Sequence, residues 1–117
     1  MTDQEVNELA LRLWRAIERV RHLGGRVVPA VSMFQPADCC CPFGALLGYP
    51  AAPSLIPNYP HYSAVESVGV SRLDALSFMR GFDARGGRPD SPYDRLHDLG
   101  ATFREECVAF DEAKAGA

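Results

Sequence analysis

Excess positive charge is missing from this sequence: 12 Lys and Arg stand against 15 Asp and Glu, giving a formal net charge of −3, and both signs are mixed along the chain. A broad electrostatic attraction for nucleic acid or anionic lipid is thereby excluded, so any such binding has to be local. Lysine is almost absent. Lys114 stands beside eleven arginines, a bias that points to a GC-rich coding sequence rather than to guanidinium chemistry. A long unbroken apolar run is also missing: the longest uncharged stretch, Cys39 to Tyr59, contains Pro42, Pro50, Pro53 and Pro57 with Gly44 and Gly48. A spanning helix could not keep its backbone satisfied there. The first residues, Met1-Thr2-Asp3-Gln4-Glu5, are acidic where a secretory signal needs basic residues, so the expected location is cytoplasmic, without membrane contact.

What is present is enough for one domain. A chain of 117 residues with 47% hydrophobic content builds a single core without needing a metal or disulfide on size grounds. Thr2 and Glu5 have the form of a capping box, and Val6, Leu9, Ala10, Leu13, Ile17, Val20 and Leu23 follow at helical spacing up to Gly24-Gly25. Leu11 and Trp14 lie off that stripe. Arg26 to Phe34 is strand-like at Val27, Val28 and Val31, but Pro29 interrupts it and no other segment reads as its strand partner; it is expected to be irregular, with room for one short edge strand.

Pro42 suits the first turn of a short second helix through Phe43, Ala45, Leu46 and Leu47 to Gly48. A proline-rich strap from Tyr49 to Pro60 follows. A third helix is expected from about Tyr62 to Val68, stopping at Gly69, and a fourth, capped by Ser71 with Asp74, through Leu73, Leu76, Met79 and Phe82 to Asp83. Ser91-Pro92-Tyr93-Asp94 opens a fifth, with Leu96, Leu99, Phe103, Cys107 and Phe110 on its apolar side. Gly100 inside it implies close packing or a bend. The predicted fold class is therefore all-α: a small single-domain bundle of about five helices over residues 1–112, with a frayed tail at 113–117. Leu13, Ile17, Leu46, Leu76, Leu96 and Phe103 are the expected core.

The most unusual local feature is Cys39-Cys40-Cys41-Pro42, three thiols beside a helix start, where the dipole and free N–H groups favour a thiolate; Cys41 is the reactive-thiol candidate. The competing reading is that these are small buried apolar residues. A metal reading joins Cys39 and Cys41 to Cys107 and either His61 or His97, with zinc as the alternative to having no cofactor. No second paired-ligand knuckle supports it. A Cys nucleophile with a His base, oriented by Asp94 or Asp98, has no supporting spacing, so no catalytic residue is assigned and enzymatic activity is not expected.

Ala64 to Ser71, followed by the fourth helix, looks like the corner of a helix-turn-helix, with the turn at Gly69-Ser71. Arg72 and Arg80 would then face phosphate or bases and Arg85 or Arg88 would extend the basic edge, opposed by Asp74 and Asp83. Two core helices meeting at a glycine corner is the favoured reading of the same residues.

Cys40-Cys41-Pro42-Phe43-Gly44-Ala45-Leu46, preceded by a long helix and followed by Gly69-Val70-Ser71 and Gly81-Phe82-Asp83, resembles short uncharacterised bacterial and phage proteins. Those carry a Cys-x-Leu-Gly-Ala-Leu-like segment in a small helical domain. Phe43 stands where that pattern has Leu, and the proline strap is not part of it. The resemblance covers about half the chain and implies a helical fold, with no function to carry over. The leading functional expectation is thus a small intracellular binding protein acting through protein contacts or self-association, with Trp14 and Tyr59 as interaction candidates. Nucleic-acid binding is its first alternative and a metal or thiol site at Cys39-Cys41 its second.

Overall fold

The structure is a computed structural model that describes residues 1–29, 38–49, 65–83 and 95–116. Helix α1 spans Asp3–His22 and is closed at both ends by local chemistry. The Thr2 hydroxyl accepts from the Glu5 N–H at 3.1 Å, and the Glu5 carboxylate accepts from the Thr2 N–H at 3.1 Å. That second bond holds the Glu5 carboxyl below its usual range. At the other end Gly24, at φ +86°, reverses the chain so that its N–H reaches the Arg21 carbonyl and the Gly25 N–H reaches that of Val20. This is a Schellman closure, which favours glycine because a side chain strains the left-handed backbone. Val6, Leu9, Leu13, Ile17 and Val20 form the buried stripe, as their spacing predicts.

Directly after that turn comes a departure from the expected fold. Strand β1, Arg26–Val27, pairs in parallel with β2, Cys39–Cys40, in the register Arg26 to Cys39 and Val27 to Cys40. The first two cysteines are therefore strand residues, and the partner that seemed missing from the sequence is the cysteine run itself. A parallel ladder of this length leaves no alternating pattern to read, and parallel strands offer no tight-turn signal of the kind that marks a hairpin.

Helix α2, Pro42–Leu47, follows at once. Proline at its first turn and Gly48 at φ +118° bound it to six residues. The segment Val65–Val68 is a single 3-10 turn in place of the end of the expected third helix; residues 61–64 lie outside the described part. Helix α3 spans Arg72–Asp83, and the Ser71 hydroxyl accepts from the Asp74 N–H at 3.2 Å. Helix α4 spans Arg95–Ala115 and continues into the segment expected to fray. Among the described residues the molecule is thus mostly helical, with four α-helices and one two-stranded parallel sheet.

Two contacts decide how the helices stack. Helices α3 and α4 run antiparallel and meet backbone to backbone: a Cβ built on Gly81 would lie 2.0 Å from the His97 carbonyl oxygen, and one on Gly100 2.0 Å from that of Phe78. Only hydrogen fits at either position. Helices α1 and α4 instead lie side by side in the same direction, because their contacts follow the same order along both: Asp3 with Arg95, Trp14 with Phe103, Arg21 with Cys107.

An aromatic series links all four helices. Phe43 of α2 meets Phe78 of α3 edge-on at 5.4 Å, Phe78 meets Phe103 of α4 at 5.4 Å, and Phe103 stacks on Trp14 of α1 at 3.9 Å. Of the expected core, Leu13, Ile17, Leu96 and Phe103 are buried, whereas Leu46 and Leu76 pack only partly. Leu73 is a clear correction. It is 79% exposed, because the glycine crossing turns Ala75, Phe78, Met79 and Phe82 inward and leaves Leu73 on the far side. Phe110, expected on the apolar side of the last helix, is 41% exposed.

Candidate functional site

Side chains alternate along extended backbone, so Cys39 and Cys41 leave one side of the strand and Cys40 the other. All four cysteines are free and buried. Cys41 sits where the helix start requires a cap, and its sulfur accepts from the Gly44 N–H at 3.3 Å. The cap favours a thiolate, but burial wins. Desolvation pushes the Cys41 thiol up to about 11 against the pull of the Gly44 and Phe43 N–H groups.

Cys40 is pushed up to about 12 by burial and by its two cysteine neighbours, and Cys107 to about 11 by burial, against the pull of Arg21. Cys39 is also raised, first by burial and then by a hydrogen bond of its thiol to the Asp38 carboxylate at 3.5 Å. At neutral pH these are protonated thiols, poor as nucleophiles.

The structure brings Cys39, Cys40 and Cys41 together through their adjacency and does not bring His97 to them. His97 lies on α4 at the glycine crossing, half-buried, while His61 lies outside the described residues. Among the described residues no group of three His, Cys, Asp or Glu side chains converges as a metal site would require.

A second constellation, which the sequence does not announce, lies where α1 and β1 meet the end of α4. The Arg26 guanidinium grips the Asp111 carboxylate with two bonds, Nε to Oδ1 and Nη2 to Oδ2, both 2.7 Å. Its remaining nitrogen, Nη1, donates to the Cys39 sulfur at 3.7 Å. Next to it the Arg21 guanidinium lies 3.6 Å over the Phe110 ring and donates to the Cys107 sulfur at 3.9 Å. Arg21, Arg26, Cys107, Phe110 and Asp111, with Gly25, Val27 and Lys114, line a void of about 10 Å³, room for one water molecule. An open depression of about 400 Å³, lined by Gly24, Arg26, Asp111, Lys114 and Ala115, adjoins it.

Each charge in the seam has an identifiable effect. Arg26 holds the Asp111 carboxyl below the usual carboxylate range, helped by Lys114, and Asp111 raises Arg26 further above its already high value. Arg26 and Asp111 are far apart in sequence and belong to no shared periodicity. Only the three-dimensional structure pairs them.

At the corner between the 3-10 turn and α3, Gly69 takes φ +82° and Ser71 caps α3, the local chemistry expected of a tight turn. Arg72 and Arg80 are exposed on α3, Asp74 and Asp83 are half-buried, and Arg85 and Arg88 lie outside the described residues. Trp14 is half-buried and occupied by its stacking on Phe103, and Tyr59 lies outside the described residues. Exposed apolar side chains that the sequence pattern had placed inside, Leu23, Leu73 and Phe110, are better exposed than Trp14. Comparisons with protein-family models, curated proteins and solved structures find no match to this chain.

Proposed function

We propose that this is a small intracellular, non-catalytic binding protein that works through protein contacts, self-association foremost. The observation that carries the reading is Leu73, 79% exposed in the first turn of a helix whose other side is locked to α4 through glycine. A large apolar side chain held out on a rigid support loses its unfavourable hydration when a second surface covers it, and it gives up little conformational freedom in doing so. Arg80, two helical turns further along α3 and also exposed, adds a polar rim. The four buried thiols accord with a reducing compartment and, being protonated, do not suggest thiol catalysis.

Sedimentation velocity over rising protein concentration tests the reading. The wild type should associate, and Leu73→Ser should shift the association to higher concentration while melting at an unchanged temperature. A wild type that stays monomeric throughout removes self-association as the function.

One specific observation favours a second reading: the Gly69 turn and the Ser71 cap lead into a helix with Arg72 and Arg80 exposed. For a helix-turn-helix reader, duplex DNA should be bound sequence-selectively at physiological salt, and replacement of both arginines should abolish it. Binding that vanishes at that salt dismisses this alternative.

A further inference from the structure

The Arg26 guanidinium is shared between two groups that compete for it. One edge is taken by Asp111 of α4, bidentate at 2.7 Å, and the opposite nitrogen by the Cys39 sulfur at 3.7 Å. Arg26 and Cys39 are register partners in the β1–β2 pair, so their proximity belongs to the sheet and does not depend on α4. Asp111 is different. It reaches Arg26 only because the last turns of α4 lie against the end of α1 and β1.

Those turns are held lightly. Their side-chain ties are Asp111 to Arg26, Cys107 to Arg21 and Phe110 under the Arg21 guanidinium, while Arg26 remains 45% and Asp111 26% exposed. Beyond Cys107 α4 places no residue in the core, whereas the stretch before it is anchored at Leu96, Gly100 and Phe103. Segments held by few apolar contacts and by exposed polar ones open more easily than the global fold.

We propose that the end of α4 is a latch on the Arg26–Cys39 pair: while Asp111 occupies the guanidinium Cys39 stays a shielded, protonated thiol, and release of the latch turns it into an accessible thiol beside an uncommitted arginine. Two carboxylates keep the closed state inert. Asp38 accepts the thiol proton's hydrogen bond at 3.5 Å, and Asp111 neutralises the cation that would otherwise stabilise a thiolate. In the open state Arg26 and Asp38 remain beside the sulfur and Asp111 leaves, so the local balance shifts towards the thiolate. Cys107 is the last core residue of α4 and marks where the latch begins, so it stays closed together with Cys40 and Cys41, which belong to the strand and helix cap packed in the same core.

Site-resolved alkylation with iodoacetamide reads this out: the thiolate sulfur attacks the methylene carbon, iodide departs, and the thiol proton has gone to solvent. In the wild-type protein Cys39 should be labelled faster than Cys40, Cys41 and Cys107, as separated by peptide mass spectrometry. Asp111→Asn keeps the shape of the side chain and removes its charge, and it should speed labelling of Cys39 about threefold while leaving Cys40, Cys41 and Cys107 slow, a threefold rise corresponding to about 0.6 kcal/mol in the opening equilibrium. In the double variant Arg26→Gln with Asp111→Asn, Cys39 should lose the part of its reactivity that comes from the guanidinium and fall below the single variant. A common rate for all four thiols in the wild type would overturn the proposal, since only global unfolding would then expose them. So would an Asp111→Asn protein whose Cys39 reacts at the wild-type rate.

Discussion

Helix α4 is held by two different surfaces, and they fail differently. Towards α3 its backbone touches backbone through Gly81 and Gly100, flanked by Phe78, Phe82 and Phe103, all buried. Towards the end of α1 and β1 it is held by guanidinium groups, a carboxylate and one half-covered aromatic ring. The first surface depends on shape and excludes water, so salt and pH have little to act on. The second depends on charge at the solvent boundary, where ion pairs contribute little to global stability and are screened by salt. A single helix thereby has a fixed half and a releasable half.

The contrast breaks most severely at the aromatic series. Phe103 touches both Phe78 and Trp14, so Phe103→Ala should lower the unfolding free energy by about 3–5 kcal/mol, measured by urea denaturation. A loss under about 1 kcal/mol would show that the shape-dependent surface is not what holds the fold.

Gly100→Ala comes next. Alanine gains about 1 kcal/mol of helix propensity over glycine, but its Cβ would meet the Phe78 carbonyl oxygen at 2.0 Å, and a backbone atom on a packed helix cannot swing aside. The clash should outweigh the propensity gain, for a net destabilisation of about 1–3 kcal/mol. A melting temperature equal to or above the wild type's would mean that the helices do not cross this closely.

The smallest effect is expected at the charged surface. Asp111→Asn should cost less than about 1 kcal/mol of global stability, and the cost should shrink further at high salt. The sign with pH follows from the lowered Asp111 carboxyl. A group depressed in the folded state stabilises fully above its unfolded value, about 3.9, and loses that contribution as pH falls through its lower folded value. Comparing wild type and Asp111→Asn across this acid range should therefore show two stability curves that converge as pH falls. Curves that stay parallel would remove the Arg26–Asp111 pair as the source.

Features that are local in the chain were legible in it. The Thr2–Glu5 box, the stop at Gly24-Gly25, the proline start and Gly48 stop of α2 and the Ser71 cap are each decided by residues within a turn of one another, and each is present. Gly100 could be read as a close approach, but Gly81 could not be named as its counterpart, because which helix crosses there is a tertiary fact. Leu73 misled for the same reason. Its spacing fitted an apolar stripe, and the crossing selected a different face of the helix.

The cysteines show a subtler limit. The helix start beside Cys41 was legible and pulls its thiol towards ionisation, yet burial has the opposite sign and the larger effect, and burial is not written at any one position. The sheet escaped because two residues on each side carry no periodicity. The Arg21, Arg26 and Asp111 cluster escaped because its members meet only when the ends of α1 and α4 lie together.

The stacking of Trp14 on Phe103 has a consequence for how the molecule is made. During synthesis the first helix emerges with its apolar stripe long before the residues that cover its aromatic edge have been translated. Until Phe103 is free to fold back, the indole has no partner from α4, and the nascent chain has to be kept from associating through that edge. Because Trp14 is the single tryptophan of the sequence, its fluorescence reports the closure of α1 against α4, and a chain stalled before Phe103 should carry the emission of a more solvent-exposed indole.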